Sequence, residues 1–175
     1  MAIWQFVVEL VPREWADWDG NRPETLYDSN GCHDMSAAWK NNQPATNLAE
    51  LISNVLPRAE SWSDSLKIWG DQSRNEIQVG YDGDNVEFVM ARIDTREDTS
   101  PMCAKIVDLA LALDCSLFFP AARSVTAADM AVFCMEVQNS RPHASLPRPV
   151  NLLSSLTEHR MITSLGTASS RRSPN

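Results

Sequence analysis

Cys32-His33-Asp34 is the one stretch where nucleophile, base and acid side-chain types stand together. Such a set performs acyl transfer when the base takes the thiol proton and the acid orients the base. Members of a working triad come from separate elements, and three adjacent side chains cannot converge. The tripeptide therefore reads as a polar loop, with His33 open to pairing with a distant group. The other histidines, His143 and His159, fall in a Pro-containing stretch and near the C-terminal tail. Asp82, Asp84 and Glu87 suggest a loose cation site, yet the twelfth position counted from Asp82 is Ile93 rather than the acid an EF-hand needs. A hairpin turn accounts for them better. Arg92, Asp94, Arg96, Glu97 and Asp98 close the next strand, with Arg92 and Asp94 on one face. They form either a recognition patch, Arg being enriched in binding hot spots, or a solvated ion-pair cluster. Neither GxGxxG nor GxxxxGK nor GxSxG occurs, and no CxxC or HxxxH spacing marks a metal site. No catalytic residue, cofactor or metal is expected, and a binding protein is favoured over an enzyme.

Charge is the stronger signal. Residues 1–100 hold 8 Lys/Arg against 18 Asp/Glu, a net −10, whereas residues 101–175 hold 7 against 5, a net +2. An acidic body repels phosphate backbones, so nucleic acid is excluded as a partner. It attracts a basic protein and speeds the encounter; the plainer reading is charge kept for solubility. All six Trp (Trp4, Trp15, Trp18, Trp39, Trp62 and Trp69) lie in the first 70 residues. Exposed beside the acids of that half, some of them would build an aromatic-acidic protein interface. Asp17, Asp19, Glu24, Asp28, Asp82, Asp84 and Glu87, with Trp18 and Arg92, are the expected partner-binding residues. An RNA-binding plait would show aromatics among basic residues on its open face. Here that face of the first strand would show Gln5, Val7 and Glu9.

The elements that must position these residues follow from periodicity. Residues 3–11 alternate, with Trp4, Phe6, Val8 and Leu10 on one face, and read as a strand closed by Pro12. Residues 12–46 read as a long irregular connection with a helical turn near Arg13–Trp18. Leu48, Leu51, Ile52, Val55 and Leu56 repeat at helical spacing behind an Asn47/Glu50 capping box, and Pro57 stops the helix. The Trp62, Leu66, Ile68 and Trp69 segment is expected to plug a sheet edge. Residues 76–82 and 85–94 form a hairpin about Asp82-Gly83-Asp84. Ser100 and Pro101 open a second helix as N-cap and first residue, with Cys103, Ile106, Val107, Ala110 and Leu113 facing inward. Residues 115–119 make an interior strand. Thr126 is expected to cap a third helix that buries Met130, Phe133, Cys134 and Val137. Cys103, Cys115 and Cys134 read as reduced thiols in apolar surroundings.

The expected fold is α+β, a ferredoxin-like split βαβ plait with a four-stranded antiparallel sheet in the order 4-1-3-2 and an extra C-terminal helix. The sheet face away from the two plait helices is expected to be open or covered by the long early connection and the third helix, and the Trp outside the plait favour partial cover. Residues 1–141 would form the single domain, 142–165 a Pro-containing extension with a short helix near Val150–Leu156, and 166–175 a disordered tail. With no basic leader and no apolar run of about 20 residues, the protein is expected to be cytoplasmic, away from membranes.

The segments WQFVVELVP, SWSDSLKIWGD, ARIDTR and IVDLALALDCSLFFP together resemble a set of small bacterial proteins of unknown function, over about residues 3–120. In general character the chain is similar to immunity proteins that neutralise polymorphic toxins. That resemblance implies an antitoxin-like inhibitor docking an acidic surface on a basic toxin or enzyme, and it assigns no residue roles. The alternative is a plait that binds or converts a small molecule. A deep pocket joining His33, Arg92, Glu9 or Tyr81 would mark it.

Overall fold

A computed structural model describes residues 4–17, 22–44 and 47–140, all within one compact unit. Trp18, Asp19, and the expectations for 142–165 and 166–175 lie outside the described residues.

Strand β1 (Gln5–Pro12) is the hub of the sheet. It pairs antiparallel with β5 (Asn85–Asp94) on one side and with β6 (Cys115–Phe119) on the other. β4 (Glu76–Asp82) reaches β5 through the two-residue Gly83-Asp84 turn. Gly83 has φ +58°, the left-handed value that such a turn demands at its first position. β3 (Leu66–Gly70) pairs with β4, the two-residue β2 (Arg58–Ala59) edges β3, and β7 (Ser124–Thr126) edges β6. The seven strands run in the order β2-β3-β4-β5-β1-β6-β7, every pair antiparallel.

The fold is α+β, but it is not a four-stranded ferredoxin-like plait. The four strands read from the sequence lie at the sheet centre as β6-β1-β5-β4, and three more widen it. Leu66–Gly70 does not plug the edge; it extends the sheet as β3. Neighbours Ile68 and Trp69 point to opposite faces, yet both are at most 1% exposed. A strand buried on both sides loses the alternation by which a half-buried strand is recognised. The link from β1 to β4 is also no single crossover helix. It holds α1 (Arg13–Asp17), a 3₁₀ turn (Pro23–Leu26), α2 (Ser36–Trp39) and α3 (Leu48–Val55) before β2 and β3 begin.

One face of the sheet carries Phe6, Val8 and Leu10 beside Ala91, Ile93, Ile77 and Leu117, and buries them under helices. α4 (Ser100–Ala112) supplies Cys103, Ile106 and Ala110, all fully buried. The third helix, α5 (Met130–Ser140), joins this layer rather than covering the opposite face: Phe133 meets Phe6 and Phe119 at ring distances of 6.1 and 5.7 Å. Phe133 and Val137 are buried, whereas Met130 and Cys134 are half-buried. Caps correct two further expectations. Thr99, not Ser100, is the N-cap of α4, because the Ser100 N–H and hydroxyl are taken up by Asp98. Thr126 ends β7, and Asp129 instead accepts the Val132 N–H at the start of α5. Asn47 caps α3 as expected, its Oδ1 accepting the Glu50 N–H, while its side-chain amide rather than its backbone N–H donates to the Glu50 carboxylate.

The opposite face, expected to be open or partly covered by the long early connection and the third helix, is covered by the early connection. Val7 and Glu9 are buried there, while Trp4, expected in the core, is 43% exposed. The segment 22–39 lies over β1 and β6: the Trp39 indole N–H donates to the Leu10 carbonyl, and Tyr27 packs edge-on against Phe118. At Gly80 the Phe88 ring occupies the space a Cβ would need, so this face also covers itself from within. The four cysteines are free. Burial pushes the Cys103 and Cys115 thiols up to about 11 and about 12, which makes them poor nucleophiles. No helix among the described residues is long and apolar enough to cross a membrane.

Candidate functional site

Two regions on the non-helical side concentrate chemistry. The first is the sheet end at which β1 finishes and the β4–β5 hairpin turns. The Asp82 and Asp84 carboxylates stand exposed at the hairpin tip, and Glu87 lies half-buried on β5 behind them. α1 adds exposed Glu14 and Asp17, which line a cleft of about 510 Å3 with Trp15, Ala37, Asn41 and Asn42. The loop ahead of β3 completes this end. Its Ser65 carbonyl accepts the Tyr81 N–H at 2.8 Å, so residues 60–65 stand next to the residue that precedes Asp82. That loop carries exposed Glu60 and Asp64 and the most exposed large apolar side chain described, Trp62 at 78%. The indole is held out because Ser61, Ser63 and Ser65 bond among themselves and turn the chain tightly.

The second region is the Glu9–His33 pair. β1 delivers Glu9 to the covered face at 3% exposure, and the loop 28–33 lowers His33 onto it, Nε2 to Oε1 at 2.5 Å. Asp28 builds that loop, since its Oδ1 accepts the N–H groups of Asn30 and Cys32, and Tyr27 bridges to His33 across it. The Cys32 N–H bond in particular holds the Asp28 carboxyl below its usual range. The imidazole stands edge-on to Phe118 at 5.8 Å and tilted to Tyr27 at 5.7 Å. The bond to Glu9, opposed by partial burial, raises the His33 pKa above its ordinary 6.5. His33 separates two clefts. One of about 350 Å3 is lined by Glu9, Asp34, Met35, Glu87, Phe88 and Met90, and the other of about 550 Å3 opens toward Gln5, Tyr27, Thr95 and Arg123.

The pair sets a pH dependence. A histidine whose pKa is raised by folding contributes stability in full below its unfolded value of about 6.5, and that contribution fades as pH rises through the raised native value. In thermal melts, wild type is expected to exceed His33→Gln most at pH 6 and below, with the gap shrinking toward pH 9. A gap that is constant across this range would show that the charge on His33 stabilises nothing.

Several expected residues resolve differently. Asp82, Asp84 and Glu87 belong to the β4–β5 hairpin and Asp17 to α1, which follows β1 directly, whereas exposed Glu24 and Asp28 belong to the segment laid over β1 and β6. Arg92 turns onto its own sheet, 3.3 Å from the buried Glu76 carboxylate. Asp94 is tied to Arg96, whose side-chain bonds keep the Asp94 carboxyl below its usual range. Of the four groups whose convergence would mark a ligand pocket, Glu9 and His33 meet; Tyr81 instead lies under Lys67. Cys32-His33-Asp34 forms no triad, because His33 is turned to Glu9 and Asp34 bonds the Ser36 N–H. Glu76 and Arg123 escaped the sequence reading, which marks Trp62 only as one of six Trp that could serve an interface. No local pattern separates a buried Glu from a solvated one on a strand. Among the described residues no group of three or more His, Cys, Asp or Glu could hold a metal ion. No family model, curated protein or solved structure matches this chain.

Proposed function

We propose that this chain is a cytoplasmic protein-binding module that docks its acidic, tryptophan-bearing sheet end on a basic protein, as an immunity or antitoxin-like inhibitor does. The observation that carries the reading is Trp62, 78% exposed on a loop bonded to the hairpin that presents Asp82 and Asp84. Large aromatic side chains anchor protein interfaces when they leave water, and a rim of charge selects the partner and steers the encounter. Lys67 lies over Tyr81 and Arg58 over Trp69, so these two cations are engaged with rings on the sheet. A basic active-site cleft is the matching surface, and occupying it blocks substrate entry.

The test is capture from native-host lysate with the full chain as bait, in wild-type, Trp62→Ala and Asp82→Asn/Asp84→Asn forms. A basic protein is expected to be retained at low salt and weakened at high salt. Its affinity should fall about 30-fold with Trp62→Ala, a loss of about 2 kcal/mol typical of an aromatic anchor. The Asp variant should lose several-fold, mainly in association rate. A partner held equally by all three forms would place the interface elsewhere.

A further inference from the structure

The larger cleft beside His33 lies toward the other end of β1 and stands apart from the docking surface proposed above. Its composition is unusual for this chain. In a protein of net charge −8, no Asp or Glu among the described residues lines it. Arg123 does, and it makes no ion pair with any described residue. Its guanidinium lies 4.4 Å over the Tyr27 ring, and Tyr27 is itself pinned by a 2.9 Å hydrogen bond from its hydroxyl to the Pro120 carbonyl. Arg123 also adopts φ +51°, in the turn closed by Ala122 on Phe119 and by Arg123 on Pro120. A non-glycine residue is strained there and persists only where its surroundings fix it. A rigid platform thus presents an uncompensated guanidinium to a cleft of about 550 Å3, the size range of small-ligand sites.

We propose that this cleft binds a small organic monocarboxylate, its carboxylate on the Arg123 guanidinium and its apolar body against Val7 and Pro120. The planar fork of arginine matches a carboxylate with two parallel hydrogen bonds. Charge counting selects a monoanion. Any positive charge on His33 is matched by Glu9 at 2.5 Å, which leaves Arg123 as the one net cation of the cleft among the described residues. A phosphate dianion would bring a second charge with no partner into an acidic protein.

The experiment is an amide NMR titration of the full chain with benzoate, set against inorganic phosphate and benzylamine at matched ionic strength. Benzoate is expected to give saturable shifts at Thr95, Arg123 and His33 with a millimolar dissociation constant, and the other two probes none. Arg123→Gly and Arg123→Gln should each weaken benzoate at least tenfold. Arg123→Gly should melt at or above the wild-type temperature, because glycine takes φ +51° without strain. Absence of a saturable benzoate shift in wild type, unchanged binding in both variants, or phosphate binding as tight as benzoate would each overturn the proposal.

Discussion

Arg92→Met is expected to destabilise the protein by about 3 kcal/mol, and adding Glu76→Gln to it should recover most of that loss. Glu76 is 0% exposed on β4, facing Arg92 across the β4–β5 ladder. Its Oε1 accepts the Gln78 side-chain N–H at 2.8 Å. Its Oε2 makes no hydrogen bond, and the Arg92 guanidinium, 3.3 Å away, is its compensation. Removing the cation strands a carboxylate in a low-dielectric setting, which costs far more than the pair itself contributes. Gln at 76 removes the charge and keeps the shape. Arg92 is 28% exposed, which places the effect at the lower end of the range for buried pairs. Urea unfolding of the two single variants and the double variant measures the coupling. A double variant as unstable as Arg92→Met would mean that Arg92 acts through packing of its stem rather than through charge.

Trp39→Ala should cost about 4 kcal/mol, a large share of the roughly 5–15 kcal/mol by which domains are stable. Trp39 is 1% exposed, and its indole N–H reaches the Leu10 carbonyl where β1 leaves β5. It is the C-terminal residue of α2, a helix of four residues, too short to hold its shape without tertiary contacts. Its own carbonyl accepts the Gln43 side-chain N–H, and Gln43 in turn bonds both the N–H and the carbonyl of Val86 on β5. The ring therefore fastens the connection that brings Asp34 and His33 to the sheet and sits beside the hairpin end. Chemical denaturation should show the loss, and hydrogen exchange should show it spreading to residues 33–43 before the central strands. Uniform exchange across the sheet would show that α2 does not open as a separate unit.

Both effects arise on the face that the long early connection covers. Period-two alternation placed Phe6, Val8 and Leu10 in the core correctly because one face of β1 is continuously apolar. The N-cap at Asn47 and the turn at Gly83 were legible for the same reason: each is decided by two or three neighbouring residues. The four central strands could be read because each carries a strong local pattern between clear stops.

What the sequence determined by itself was therefore the α+β class, the central hairpin, the helical segments 48–55 and 100–112 within a residue or so, and the acidic bias of the first 100 residues. Tertiary structure alone decided that Leu66–Gly70 is a strand and that α5 joins the helix layer, which leaves residues 22–39 to cover the other face. It alone also set Glu9 against His33, Arg92 against Glu76, and Arg123 over Tyr27. These pairs join residues 16 to 96 positions apart, and the energy that selects them comes from burial of charge and ring surface once the sheet has formed. Local propensity is blind to that energy, because the same Glu or Arg on an exposed strand would show the same neighbours in sequence.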